Sequence, residues 1–137
     1  MNPQKFFQTF LLFAFTCVLA LNAQAMDAEE TAERVAAGNF VKQLQTLAAE
    51  GKRQELAKLV NYPLTVDGKE RAKNANAFVK SYDAIFTKTV QTCLREHDLK
   101  EEIFTRNGQY MIGWGCIWFS LAERGGMTID AVNTKAP

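Results

Sequence analysis

The apolar positions of this chain change period along its length, and each change marks an element. Phe6 to Leu21 is an apolar run interrupted by Gln8, Thr9 and Thr16. After a capping-box-like start at Asp27 and Glu30, Val35, Phe40, Val41, Leu44, Leu47 and Ala48 recur at helical spacing, which predicts a helix over 28–50. Gly51 is placed to end it in a left-handed turn, and Leu56, Leu59 and Val60 then form a short amphipathic helix. Tyr62 to Val66 is extended and apolar and closes on the turn dipeptide Asp67-Gly68. Pro63 has no N–H to give to a ladder, which makes this an edge strand or the first residues of one.

From Asn76 the helical period returns. Phe78, Tyr82, Ile85, Phe86, Thr89, Val90 and Cys93 fall on one stripe and predict a single long helix that carries Cys93 toward the core. Beyond His97-Asp98 the period becomes two, and Asn107-Gly108 is a strong hairpin signal, followed by a second at Gly125-Gly126. Between these turns lies Gln109 to Leu121, thirteen residues without a formal charge that hold both tryptophans, and this is the expected central strand.

Two-residue loops at both turns define a register. They place Phe104 opposite Met111 and Ile103 opposite Ile112, then Ser120 opposite Ala131 and Leu121 opposite Asp130. Strict alternation then puts Tyr110, Ile112, Trp114, Cys116 and Trp118 on the helix-facing side. Met111, Ile117, Phe119 and Leu121 point outward as an apolar patch rimmed by Glu102, Thr128 and Asp130, a pattern that suits a partner contact. The alternative is an ordinary half-exposed sheet with a bulge at Gly113 or Gly115, which would invert the alternation.

Composition adds a compartment. Lys5, the apolar run and the small residues of Ala23-Gln24-Ala25 have the form of a secretory signal peptide over 1–25, too short to span a bilayer, leaving one domain over 26–137 and no stable membrane anchor after cleavage. The destination is then the periplasm or the cell exterior. Without Lys5 the chain carries fifteen Lys and Arg against fifteen Asp and Glu, with no basic excess to draw a nucleic acid. Two cysteines remain outside the leader, Cys93 and Cys116, and a disulfide-permissive destination pairs them.

Catalytic and metal constellations find little support. The one histidine, His97, stands in a charged Arg-Glu-His-Asp run suited to a helix end, and Asp83 follows Tyr82 on the helix and so points about 100° away from it. One histidine, two paired cysteines and scattered carboxylates make no metal-ligand spacing, and Gly113-Trp114-Gly115 lacks the third glycine of a dinucleotide loop. Neither a catalytic residue nor a cofactor is expected.

Helix, short helix, strand, long helix and antiparallel meander form an order in which Leu59 to Leu64, Phe78 to Phe86 and Gly113 to Phe119 resemble the cystatin-like group, and within it the cone-shaped proteins similar to nuclear transport factor two, also called SnoaL-like. That resemblance implies an α+β fold in which N-terminal helices and one long helix pack on a curved antiparallel sheet. Its members include enzymes, transport factors and binding modules, so function has to come from the site. The reading reached from the residues is a small exported, non-catalytic protein-binding module, of an immunity or inhibitor kind, engaging a protein partner or a second copy through its sheet. The alternative is a small-molecule carrier or enzyme with a cone lined by Tyr62, Tyr82, Tyr110 and Trp114.

Overall fold

The expected first helix begins well upstream of residue 28. In the computed structural model, α1 runs Pro3–Ala49. Backbone is described for residues 3–100 and 103–136, and side chains within those ranges from residue 22 on, residue 104 excepted. The expectation of a leader over 1–25 rests on residues whose side chains lie almost wholly outside that description. Among the described residues no helix is long and apolar enough to cross a membrane.

The chain divides into two compact units, Met1–Val35 and Ala36–Pro137. In the first, Asn22 to Val35 are exposed apart from half-buried Glu33, and the helix is supported locally by an Arg34–Glu30 ion pair of 3.0 Å. The second unit holds the core. There α1 buries Ala37, Phe40, Val41 and Leu44 at helical spacing; of the expected stripe, Leu47 and Ala48 are half-buried and Val35 is exposed. Gly51, at φ +66°, ends the helix as predicted. The N–H of Lys52 reaches back to Leu47 O at 2.9 Å and that of Gly51 to Ala48 O at 3.2 Å, which is a Schellman closure.

Next come α2 (Arg53–Ala57), β1 (Val60–Val66) and β2 (Lys69–Ala72), with Asp67 at φ +51° and Gly68 at φ +77° forming the tight turn between the strands. The predicted long helix is three pieces, α3 (Ala75–Lys80), α4 (Tyr82–Ile85) and α5 (Lys88–Glu96). Two of the three pieces start at side-chain caps, and the first break falls at Ser81, which makes no side-chain cap bond. The Asn74 Oδ1 caps α3 by accepting from Ala77 N at 2.9 Å, and Thr87 Oγ1 caps α5 by accepting from Val90 N at 3.4 Å. Gln91 Nε2 donates to the freed Phe86 carbonyl at 2.7 Å. The stripe survives the breaks, since Phe78, Tyr82, Ile85, Phe86 and Val90 are all buried.

The remaining strands are β3 (Phe104–Arg106), β4 (Gln109–Ile112), β5 (Ile117–Leu121) and β6 (Met127–Val132). The architecture is α+β, with a six-stranded sheet in the order β2-β1-β6-β5-β4-β3. It is mixed and not purely antiparallel, because β1 runs parallel to β6. Pro63 does not mark an edge. β1 lies between β2 and β6, and the proline falls where the β1–β6 ladder is interrupted between Val60 and Thr65, so no bond is asked of its nitrogen.

The first hairpin has the expected register, Phe104 opposite Met111. The second does not. Ser120 pairs with Thr128 and Leu121 with Met127, three residues away from the two-residue-loop register. The connection closes a turn earlier than Gly125-Gly126 alone would, with Gly125 N donating to Ala122 O at 2.9 Å and Ala122 N to Gly126 O at 2.8 Å. A displacement of three changes which residues of β6 accompany each face of β5, and because the parity of β5 is itself inverted, Ile129 still faces the core; a bulge between Trp118 and Phe119 then turns Ala131 outward and Val132 inward.

Candidate functional site

The stretch expected to be one strand is two, β4 and β5, joined by a 3-10 turn at Gly113–Gly115. Gly113, Trp114 and Gly115 take φ of +56°, +56° and +88° in succession. Glycine enters this region without penalty, whereas each L-residue with a Cβ loses roughly 1–2 kcal/mol there. Trp114 is therefore held in place by its surroundings. The Cys116 N–H donates to Ile112 O at 3.0 Å, and the Gly115 carbonyl accepts from Trp118 Nε1 at 3.0 Å and from Asn133 Nδ2 at 2.7 Å. Asn133 N also donates to Cys116 O at 2.8 Å, fastening the turn to the end of β6.

The turn inverts the alternation. Even residues Tyr110 and Ile112 face the core on β4, and odd residues Ile117 and Phe119 face it on β5. This corrects the expected outward patch. Ile117 and Phe119 are fully buried, and the Phe119 ring lies 5.2 Å from Phe40 and 5.5 Å from Tyr110. Met111 is half-buried on the opposite face and Leu121 is exposed, so these four residues share no surface. Trp118, expected in the core, is half-buried on that opposite face. There the register runs from Met111 through Trp118 and Ala131 to Thr65 across four adjacent strands. Asn61 Nδ2 donates to Asp130 Oδ1 at 3.1 Å on the same face.

The residues proposed to line a cone do not make one. Tyr82 is buried, stacked on Phe86 at 5.2 Å and edge-on to Phe78 at 5.9 Å, while Tyr110 is stacked on Phe119. Tyr62 donates its hydroxyl to Ala57 O at 2.7 Å, and burial pushes its pKa up to about 12. Burial likewise raises Tyr82, opposed by the Arg53 guanidinium that lies 4.5 Å over its ring and pairs with Asp83. Trp114 is elsewhere altogether, 82% exposed. Among the described residues, an open groove of about 370 Å³ beside Gln45, Gln91 and Arg95 and another of about 390 Å³ beside Lys58, Asn76 and Lys80 touch no candidate residue.

Cys93 and Cys116 are brought together, but they are free thiols and not the expected disulfide. α5 carries Cys93, half-buried, and Cys116, fully buried, lies between the turn and β5. The Cys116 thiol donates a hydrogen bond to the Cys93 sulfur. This lowers the Cys93 pKa against the opposing effect of burial, and raises that of Cys116, which burial raises further. The Cys93 thiol also lies 3.8 Å from Gly113 O. Among the described residues no group of three or more His, Cys, Asp and Glu is placed to hold a metal ion.

Sequence reasoning missed the turn as a display device. The signal was present, since two glycines flanking one tryptophan in an uncharged run allow a left-handed excursion, and the bulge alternative pointed there. No family model, curated protein or solved structure matches the chain.

Proposed function

We propose that this chain is an exported, non-catalytic protein-binding module of an immunity or inhibitor kind. Its contact surface is Trp114 together with the outer sheet face around Trp118 and Met111. The observation that carries the reading is Trp114, a large aromatic at 82% exposure, held in left-handed backbone in a turn anchored by Cys116 N–H to Ile112 O and by Trp118 and Asn133 donating to Gly115 O. Strained positions of this kind cluster at functional sites, and tryptophan is enriched among residues that dominate binding energy. A rigid indole also has little rotamer freedom to lose on docking. Half-buried Trp118 and Met111 supply apolar area on the same sheet as the polar Asn61, Thr128 and Asp130. The space between helices and sheet holds packed aromatic rings, which favours a surface binder over a carrier.

The test is a partner isolated from envelope extract on the wild-type chain, followed by its affinity for the wild type and for Trp114→Gly. A loss of roughly 30-fold or more is expected, equivalent to the 2 kcal/mol typical of a binding anchor. Equal affinities would remove Trp114 from the surface. Sedimentation of both forms separately reports whether the partner is a second copy.

A further inference from the structure

The two thiols, the turn and the exposed indole form one connected piece of structure. Cys93 Sγ fills the space a Cβ on Gly113 would occupy, and that same hypothetical Cβ would lie 3.2 Å from Cys116 Cβ. One thiol is reachable and the other is not, since Cys93 is half-buried and Cys116 has 0% exposure. From this arrangement we propose that Cys93 and Cys116 are a redox-active dithiol, with Cys93 the attacking and Cys116 the resolving thiol, whose closure stiffens the turn that displays Trp114.

The chemistry balances with a disulfide-bearing oxidant, protein or small molecule. The Cys93 thiolate attacks one sulfur of that disulfide, its S–S bond breaks, and the departing thiolate takes up a proton. Cys116 then loses its proton and attacks the Cys93 sulfur of the mixed disulfide, forming the internal bond and expelling the second oxidant thiol. Two electrons and two protons pass to the oxidant. The hydrogen bond from Cys116 favours the thiolate form of Cys93, and thiolate fraction and access together select the attacking sulfur. Cys116 N, Gly113 O and Gly115 O all lie within the turn's hydrogen-bond set, so a covalent tie from Cys116 to α5 restrains Gly113–Gly115 directly. This inference is independent of whether the surface binds a protein.

The experiment uses the full chain, reduced, then exposed to oxidised glutathione and quenched by alkylation at intervals. Trypsin separates the sites, since Cys93 falls in 89–95 and Cys116 in 107–124. Expected is an early glutathione adduct roughly tenfold more abundant on Cys93 than on Cys116, converting to an internal disulfide between the two peptides. In Cys116→Ser the Cys93 adduct should persist. An adduct first on Cys116, or a Cys93 adduct in the wild type that never converts, overturns the proposal even if the serine variant fails to fold. Amide exchange on the wild type reads the mechanical half. Oxidation should slow exchange at 113–116 by roughly tenfold while leaving 117–119 unchanged, and equal exchange at 113–116 in both states overturns the coupling to the turn.

Discussion

The sulfur of Cys93 occupies the position that a side chain on Gly113 would need, so a residue of α5 reaches into the connection between β4 and β5 and shapes it. Gly113 is glycine for two independent reasons, its φ of +56° and this close approach. The consequences of removing each can be separated.

Gly113→Ala should therefore destabilise the protein by roughly 2–4 kcal/mol, combining the left-handed penalty with overpacking. Gly125→Ala, at φ +82° with open space around its Cβ, should lose only the first, roughly 1–2 kcal/mol. Pairing Gly113→Ala with Cys93→Ala should recover the packing share. Urea melts of these three variants, of Cys93→Ala alone and of the wild type check the sum, and equal effects of the two glycine substitutions would deny the close approach.

Phe119→Ala should cost about 3–5 kcal/mol, because the ring is fully buried against Phe40 and Tyr110 and its removal leaves a cavity. The same denaturant melts decide it. A Phe119 variant of wild-type midpoint would restore the outward patch expected from strict alternation.

Trp114→Gly should leave stability unchanged or raise it by roughly 0.5–1 kcal/mol, since relief of the left-handed penalty outweighs the added freedom of the unfolded chain. Thermal unfolding monitored by far-ultraviolet circular dichroism avoids reliance on the lost indole. A large fall in Tm would place Trp114 in the packed structure instead.

Acid should loosen the link between the β1–β2 turn and the segment after β6. Asp67 accepts from Thr134 N at 2.8 Å and from Thr134 Oγ1 at 2.6 Å, and these bonds, the side-chain one first, hold its pKa below the usual 3.8. A carboxylate depressed on folding contributes stability that is fully present above its unfolded pKa and is lost as pH falls through the folded value. Asp67→Asn tolerates φ +51° and should be less stable than wild type at neutral pH, with the difference vanishing well below pH 3.8. Chemical denaturation across that range measures it, and a difference independent of pH would mean that the carboxylate's charge is irrelevant.

Much of the fold was legible because its signals are local. Gly51 ends α1 through its own backbone freedom, and Asn107-Gly108 dictates a tight turn whose register follows from geometry. The stripe Phe78, Tyr82, Ile85, Phe86 and Val90 found the core even though the helix carrying it breaks twice. Burial rewards the spacing of apolar groups and tolerates a change of backbone between them, whereas the second break depends on capping at Thr87.

The candidate site was not legible, because everything about it depends on parity. The three-residue turn at Gly113–Gly115 reverses which side chains of β5 face inward, and a bulge between Trp118 and Phe119 shifts Ala131 and Val132, and both are compatible with the same letters. By itself the sequence determined the α+β class, the core stripes, the first hairpin and the nearness of two cysteines. Only the tertiary structure decided that Phe119 is core and Trp114 surface, that β1 joins β6 in parallel, and that Cys93 sits beneath Gly113. Those outcomes rest on packing between segments far apart in the chain, where contacts with α1 and α5 select one face over the other.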